Sequence, residues 1–319
     1  MKTLLSFVIP CYHSQETLAP VVEDIFKTVD ADGRYDCEVV LVNDNPPDAA
    51  WRLISRLCRE NPRVKGACMM HNFGQHAALM AGFSLASGDV VVCLDDDGQT
   101  PPSEALKLVD ALSDEVDVVY ADYPDQKFAS GFRQLGSKMN ALMACWLLQK
   151  PKGLYLSSYI AAKRCVVEEV ARYKGPFPYV DGLILRSAGK IINVPVEHRE
   201  REVGQSGYSL KKLLGLWLNG FTAFSIKPLR LATALGGLFA AAGFVFAAVV
   251  VLQKLIYGSA IDAGWSSIVA LQLVIGGILM AMLGLAGEYI GRIYVSMNAA
   301  PQYIIRETKN LTGQEDKER

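Results

Sequence analysis

The sequence has no Cys-x-x-Cys pair, no excess of charge of either sign and, before residue 230, only short β-branched apolar runs. The balance of 32 Lys and Arg against 33 Asp and Glu gives a formal net charge of -1, so there is no basic field to draw the chain to nucleic acid, and such a partner is not expected. The seven cysteines, Cys11, Cys37, Cys58, Cys68, Cys93, Cys145 and Cys165, are odd in number and scattered, mostly among apolar neighbours. That excludes a disulfide framework and a zinc site and reads as buried thiols in a reducing compartment. The opening MKTLLSFVIPCY lacks a small-residue cleavage site after its apolar run, which is short against the ~7–15 residues of a secretory core, so it reads as a strand.

What is present divides the chain. Residues 1 to about 125 alternate β-branched runs (LLSFVIP, EVVLVN, VKGACMM, DVVVCLD) with amphipathic stretches near 17–29, 48–60 and 75–86. Strands joined by helical crossovers predict a mostly parallel α/β sheet covered on both faces. A polar loop and a long helical pattern follow to about 152, then a strand and helix to about 173, a helix near 181–188 and the strand IINVPVEH. The charged, glycine-containing HREREVGQSGY reads as a loop near the active site.

Residues 208–226 suit either a helix in the membrane interface, with Trp217 at headgroup depth and Lys211 and Lys212 toward lipid phosphates, or a core helix. Leu231–Gln253 and Trp265–Gly287 then run without a charge, each long enough to cross a hydrocarbon core of ~30 Å. Lys211, Lys212, Lys227 and Arg230 precede the first span and Arg292, Arg306 and Lys309 follow the second, while the connection carries only Lys254 and Asp262. The positive-inside rule therefore puts both termini in the cytoplasm. The expected organisation is a catalytic domain over 1–207, an interfacial region over 208–230, a two-span membrane domain over 231–291 and a cytoplasmic tail over 292–319, whose last residues LTGQEDKER read as disordered.

The strongest local signal is Asp95-Asp96-Asp97-Gly98-Gln99-Thr100-Pro101-Pro102, directly after the apolar run Val90 to Leu94. Three consecutive carboxylates at the end of a buried strand repel one another unless something positive sits among them, and a divalent cation on oxygen ligands answers that better than a solvated turn does. Asp95 and Asp97 point the same way on an extended strand end. A bound Mg2+ or Mn2+ there would bridge the phosphates of a nucleotide-sugar. The turns after the first two strands supply Tyr12 for a base to stack on and Glu16 and Asp44 as acceptors for base or ribose. Asp48 reads as a residue of a helix N-terminus.

These motifs together resemble family-2 glycosyltransferases of the glycosyltransferase-A (Rossmann-like) fold, and more narrowly the polyisoprenyl-phosphate glycosyltransferases, over nearly the whole length. FVIPCYHSQETL is similar to the family's first strand and turn, implying that Pro10, Tyr12 and Glu16 meet the base; VNDNPPD stands where V-D-D-G-S is usual, keeping Asp44 in register with Asn43 in place of an aspartate. HNFGQHAALMAGF resembles R-N-x-G-x-x-A-A-x-x-A-G, which adds Asn72, Gly74 and Gln75 to the donor side and puts His71 where arginine is usual. DDDGQTPP resembles D-A-D-L-Q-x-P-P and implies a metal set of Asp95, Asp97 and Gln99, with Asp96 beside the donor. FRQLGSK resembles F-R-x-x-x-S-K, implying acceptor-phosphate contacts from Arg133, Ser137 and Lys138. REVGQSGYSLKKL implies phosphate contacts from Arg201, Ser206 and Tyr208, with Gly207 replacing a frequent lysine.

The resemblance further implies an inverting transfer from a nucleotide-sugar, favoured as UDP-linked, to a polyisoprenyl phosphate such as undecaprenyl phosphate in a bacterial inner membrane, and a homo-oligomer, often a tetramer. One departure bears on mechanism. Where many members carry D-x-G-x-F-R, this chain reads Tyr155-Leu156-Ser157-Ser158-Tyr159-Ile160, without the carboxylate. A phosphate monoester with a second pKa near ~6 is largely dianionic already and need not await proton removal. Asp97 or Asp181 could assist by position, and Ser158 could hydrogen-bond the acceptor. A processive polysaccharide synthase is disfavoured because the chain has no Q-x-x-R-W motif and too few spans for a channel; a non-catalytic scaffold is disfavoured by the intact Asp95, Asp97 and Gln99 and by uncharged spans.

Overall fold

The computed structural model describes residues 2–45, 48–124, 150, 151, 153–197, 199, scattered positions between 229 and 256, 265–298 and 301–311. The chain forms two compact units, one of Met1–Gly207 with Ala299–Arg319 and one of Tyr208–Asn298.

In the first unit, β1 (Thr3–Cys11), β2 (Tyr35–Asn43), β3 (Val64–Met69) and β4 (Val90–Cys93) run parallel, joined by α1 (Leu18–Asp32), α2 (Ala49–Glu60) and α3 (Gln75–Leu85). Leu5, Phe7, Val8 and Ile9 are all fully buried, so both faces of β1 are covered, as a central parallel strand requires. Apolar residues of α1 recur as Leu18, Val21, Val22, Ile25 and Val29, one stripe of a 3.6-residue period, and Gly33 at φ 72° ends the helix by donating its N–H to the Val29 carbonyl. Asp48 caps α2 by accepting from the Trp51 amide at 3.0 Å. Helix α3 is apolar over Ala77–Phe83 and lies close on β1: a Cβ on Gly82 would come 2.3 Å from Val8 Cγ1.

The sheet continues with β5 (Val118–Asp122), β6 (Ile160–Lys163) and β7 (Ile191–Pro195), in the order β7-β5-β6-β4-β1-β2-β3-β8, where β8 is Ile305–Lys309. Strand β6 is antiparallel to β4 and β5, and β8 is antiparallel to β3. The helices α4 (Ala105–Asp110), α5 (Arg164–Ala171) and α6 (Val180–Ser187) complete this unit. The chain steps outward from β1 to β3 and then returns to the other side of β1 for β4. Such a reversal opens a crevice at the carboxyl ends of β1 and β4, where open α/β sheets bind ligands. The expected α/β fold is present. Strands β5 and β8 were not foreseen, and β8 corrects the expected tail: residues 305–309 return to the catalytic sheet.

The second unit holds α7 (Trp265–Met297), of 33 residues, which extends ten residues beyond the expected span end at Gly287. Its stretch Ile275–Met297 is long and apolar enough to cross a membrane, the one such helix among the described residues, and Ala232–Gly243 is a shorter apolar helix within the first expected span. The expected interfacial segment 208–226 lies outside the described residues.

Candidate active site

The three aspartates after β4 diverge. Asp95 has both carboxylate oxygens engaged: Oδ1 accepts from Gln75 Nε2 of α3 at 3.2 Å and Oδ2 accepts from the Ser158 hydroxyl. Asp96 accepts from the Tyr12 amide at 3.0 Å, tying β4's end to the turn after β1; burial pushes its carboxyl above the usual range, and neighbouring Asp97 adds to that. Asp97 accepts from the Gln99 amide at 3.1 Å across a turn made by Gly98 at φ 75°. The Gln99 carbonyl in turn accepts from Arg199 N at 3.0 Å.

Among the described residues no three carboxylate, imidazole or thiol side chains converge into a ready metal cage. That agrees with what Asp95, Asp97 and Gln99 could hold. Mg2+ is commonly bound by one or two carboxylates and completes its coordination with substrate phosphates, whereas a cage of protein ligands suits other ions. The donor set, two carboxylates and an amide on a strand end, is hard oxygen and fits Mg2+ or Mn2+.

Pro10 sits within β1, and Tyr12 and Glu16 are exposed in the turn that follows. The Tyr12 ring is 53% exposed and edge-on to His13, whose φ of 57° kinks the turn. A ring that is open while its backbone is fixed by Asp96 suits stacking. Asp44 is buried, and its two oxygens accept from the Phe73 and Gly74 amides, each at 2.8 Å. Its carboxylate shapes the loop ahead of α3, which carries exposed Asn72 and places Gln75 against Asp95. His71, at the position usual for arginine, stacks on Phe73 with centroids 3.7 Å apart.

The segment lacking the family carboxylate is docked beside β4. Asn193 of β7 holds Tyr155 by exchanging hydrogen bonds with its amide and carbonyl, each at 2.8 Å. The Ser157 hydroxyl donates to the Ala121 carbonyl at 2.9 Å, and Ser158 then meets Asp95. Tyr155 is 39% exposed and edge-on to Tyr123.

Asp181 stands half-buried in the first turn of α6, accepting from the Tyr120 hydroxyl of β5 at 3.0 Å. Loss of solvent pushes its carboxyl up to about 6. His76, in the first turn of α3, lies edge-on to Tyr179 and accepts through Nδ1 from the Val180 amide at 3.4 Å; burial pushes it down to about 4, so it is neutral. Sequence reasoning singled out neither Tyr120 nor His76. Arg133, Ser137, Lys138, Arg201, Ser206 and Tyr208 lie outside the described residues.

The mostly parallel sheet reverses between β1 and β4, and its acidic strand end lies at that reversal, the place where open α/β sheets bind ligands. The chain matches the family model "Glycosyl transferase family 2" over residues 6–167 and "GtrB C-terminal hairpin" over residues 227–293. It is 33% identical over 306 residues to the undecaprenyl-phosphate 4-deoxy-4-formamido-L-arabinose transferase of Proteus mirabilis, covering 95% of this chain and 93% of that protein. It is 31% identical over 306 residues to the uncharacterized glycosyltransferase YkcC of Bacillus subtilis, covering 96% and 94%. Among solved structures, mannosyl-3-phosphoglycerate synthase from Rubrobacter xylanophilus superposes with a TM-score of 0.48 at 14% identity, over 69% of this chain and 73% of that one, too distant to bear on the site. The chain belongs to glycosyltransferase family 2, within the polyisoprenyl-phosphate glycosyltransferase group, and is an enzyme.

Proposed function

We propose that the chain transfers a sugar, with inversion, from a nucleotide-sugar to the phosphate of a polyisoprenyl lipid at a membrane surface. The observation that carries this reading is the Asp95 carboxylate, fixed on both oxygens by Gln75 and Ser158 at the end of β4, in a chain whose relatives are named as undecaprenyl-phosphate sugar transferases. Tyr12 offers its ring to the base, while Pro10, Glu16 and Asn72 line the same edge. Asp44 acts on the donor through the loop it folds. Mg2+ or Mn2+ held by Asp95, Asp97 and Gln99 would neutralise charge growing on the leaving diphosphate.

In the transfer, a phosphate oxygen of the lipid forms the bond to the anomeric carbon as the bond to the diphosphate breaks, and the diphosphate leaves with the electron pair. A phosphate monoester with a second pKa near ~6 is mostly dianionic at neutral pH, which suits a segment 155–160 that carries no carboxylate of its own. Asp181 accepts the proton from the monoanionic fraction. Arg133, Ser137, Lys138, Arg201, Ser206 and Tyr208 are the proposed phosphate contacts, and the donor is favoured as UDP-linked. Leu231–Gln253 and Trp265–Gly287 are proposed as two spans, with residues 208–230 at the interface, in a bacterial inner membrane with both termini cytoplasmic. Membrane anchoring raises the concentration of acceptor phosphate at the site. The state proposed is a homo-oligomer.

The test incubates purified enzyme with undecaprenyl phosphate, Mg2+ or Mn2+ and a panel of labelled nucleotide-sugars, and extracts the lipid phase. One donor is expected to label the lipid. A panel that labels nothing, with donor binding unchanged by Asp97→Ala, would sink the reading.

A further inference from the structure

Leu154 before it and Tyr159 after it are buried, whereas Tyr155 is 39% exposed and stands where many members of the family carry a carboxylate. Its backbone is pinned on both sides by Asn193, which meets the amide and the carbonyl at 2.8 Å each. A ring with two side-chain torsions on a held backbone loses little entropy when a ligand settles on it. Two ties carry the segment to the acidic turn: the Ser158 hydroxyl donates to Asp95, and the Tyr159 hydroxyl donates to the Pro101 carbonyl at 2.8 Å.

Tyr123, just past β5, lies edge-on to Tyr155 with centroids 6.2 Å apart at 82°, and so covers at most one face of that ring. Burial first, then the charge of Asp95, with Asp97 adding to it, push the Tyr123 hydroxyl above its ordinary value, so the aromatic pair lies within electrostatic reach of both proposed metal ligands. An aromatic face is negative and takes up C–H groups of slight positive charge, which a sugar ring presents where its hydroxyls point away. Small-ligand sites combine such surface with a few placed polar groups, here Ser158 and Asp95. The sugar is bonded directly to the diphosphate that Asp95 and Asp97 are proposed to meet through the metal. The isoprenyl chain is set apart from the reacting carbon by its own phosphate, so a ring at this position meets the sugar first.

We propose that Tyr155, backed by Tyr123, is the platform on which the C–H face of the donor's sugar ring rests, and that it selects among sugars by the face they present. This rests on the nucleotide-sugar transfer proposed above, and adds to it a binding residue in place of the family's carboxylate.

The test measures initial rates of lipid labelling with undecaprenyl phosphate, Mn2+ and the productive member of a panel of UDP-glucose, UDP-galactose, UDP-N-acetylglucosamine and UDP-xylose, with UDP as inhibitor. Tyr155→Ala and Tyr155→Leu, each checked by thermal melting, are expected to raise KM for the donor roughly 3- to 10-fold, while KM for undecaprenyl phosphate and the inhibition constant of UDP stay within about 2-fold. Tyr155→Phe is expected to keep the wild-type donor KM. Leucine fills space without a ring, so a loss that phenylalanine restores reports the aromatic face. A donor KM unchanged in Tyr155→Leu, a Tyr155→Phe variant as impaired as Tyr155→Leu, or a rise shared by UDP or confined to undecaprenyl phosphate would overturn this inference alone. Wild type that labels no lipid with any donor would overturn the transfer reading and this inference with it.

Discussion

At the residue scale the site turns on how Asp95 is held. A hydrogen bond to a charged group contributes about 1.5–3 kcal/mol. Ser158→Ala is therefore expected to lower kcat by ~10- to 100-fold with the fold intact, measured by initial rates and thermal melting. Asp97→Ala is expected to cost ~100-fold or more, on the scale of removing one charge-stabilising group. Asp181 supplies a pH signature. Its raised pKa of about 6 predicts that activity falls as pH drops through 6, and that Asp181→Asn lowers activity most near pH 6 while leaving the part of the limb that the acceptor phosphate's own ionisation near ~6 sets. The stability sign is opposite. Between the unfolded value near ~3.9 and about 6, the native carboxyl keeps a proton that the unfolded one has lost, so its stabilising contribution disappears as pH rises through 6. Asp181→Asn should then raise Tm at pH 8 while leaving activity there, where the acceptor is already dianionic, little changed. The aspartate triplet was legible because it is local. Tyr120 and His76 were not, because their partners lie 61 and 104 positions away, and nothing in either neighbourhood names the other. The partners of Asp44 were not legible for the same reason: the Phe73 and Gly74 amides that face its carboxylate lie 29 and 30 positions away.

At the scale of elements, helix α3 shows packing overriding propensity. Alanine is about 1 kcal/mol better than glycine inside a helix, yet a methyl at Gly82 would press on Val8, a stiff side chain fully buried in β1. Gly82→Ala is expected to destabilise by about 1–3 kcal/mol, read by urea unfolding; a stabilised variant would show that α3 can back away from the sheet. The four strands β1 to β4 and their crossovers were legible from alternating apolar runs and helical stripes. Strand β8 was not. IRETK carries three charges in five residues, which marks an exposed tail until the edge of β3 supplies its partner. Its end is pinned by Asn310, which at φ 57° donates its side-chain amide to the Cys58 and Val64 carbonyls. Asn310→Ala loses those bonds and adds strain in a left-handed conformation, so Tm should fall. Cys165 is exposed where the sequence reading had mostly buried thiols, while Cys11, Cys37, Cys58, Cys68 and Cys93 are buried as expected.

At the scale of the molecule, a glycosyltransferase domain and a helix long and apolar enough to cross a membrane share one chain. Ile305 pairs with Met69, the last residue of β3, so the chain following α7 joins the sheet at the edge that also carries Tyr12, Asn72 and Asp95. The fold class and the acidic site were readable because strand periodicity and the aspartate motif need no long-range information. The proposed acceptor contacts rest on resemblance alone and lie outside the described residues. The central claim is that the nucleophile is the phosphate of a lipid, and a direct measurement compares undecaprenyl phosphate with undecaprenol as acceptors under the same donor and metal. The account predicts a glycolipid of inverted anomeric configuration from the phosphate and none from the alcohol. Sugar transferred to undecaprenol, or to neither while the donor is still cleaved, would contradict it.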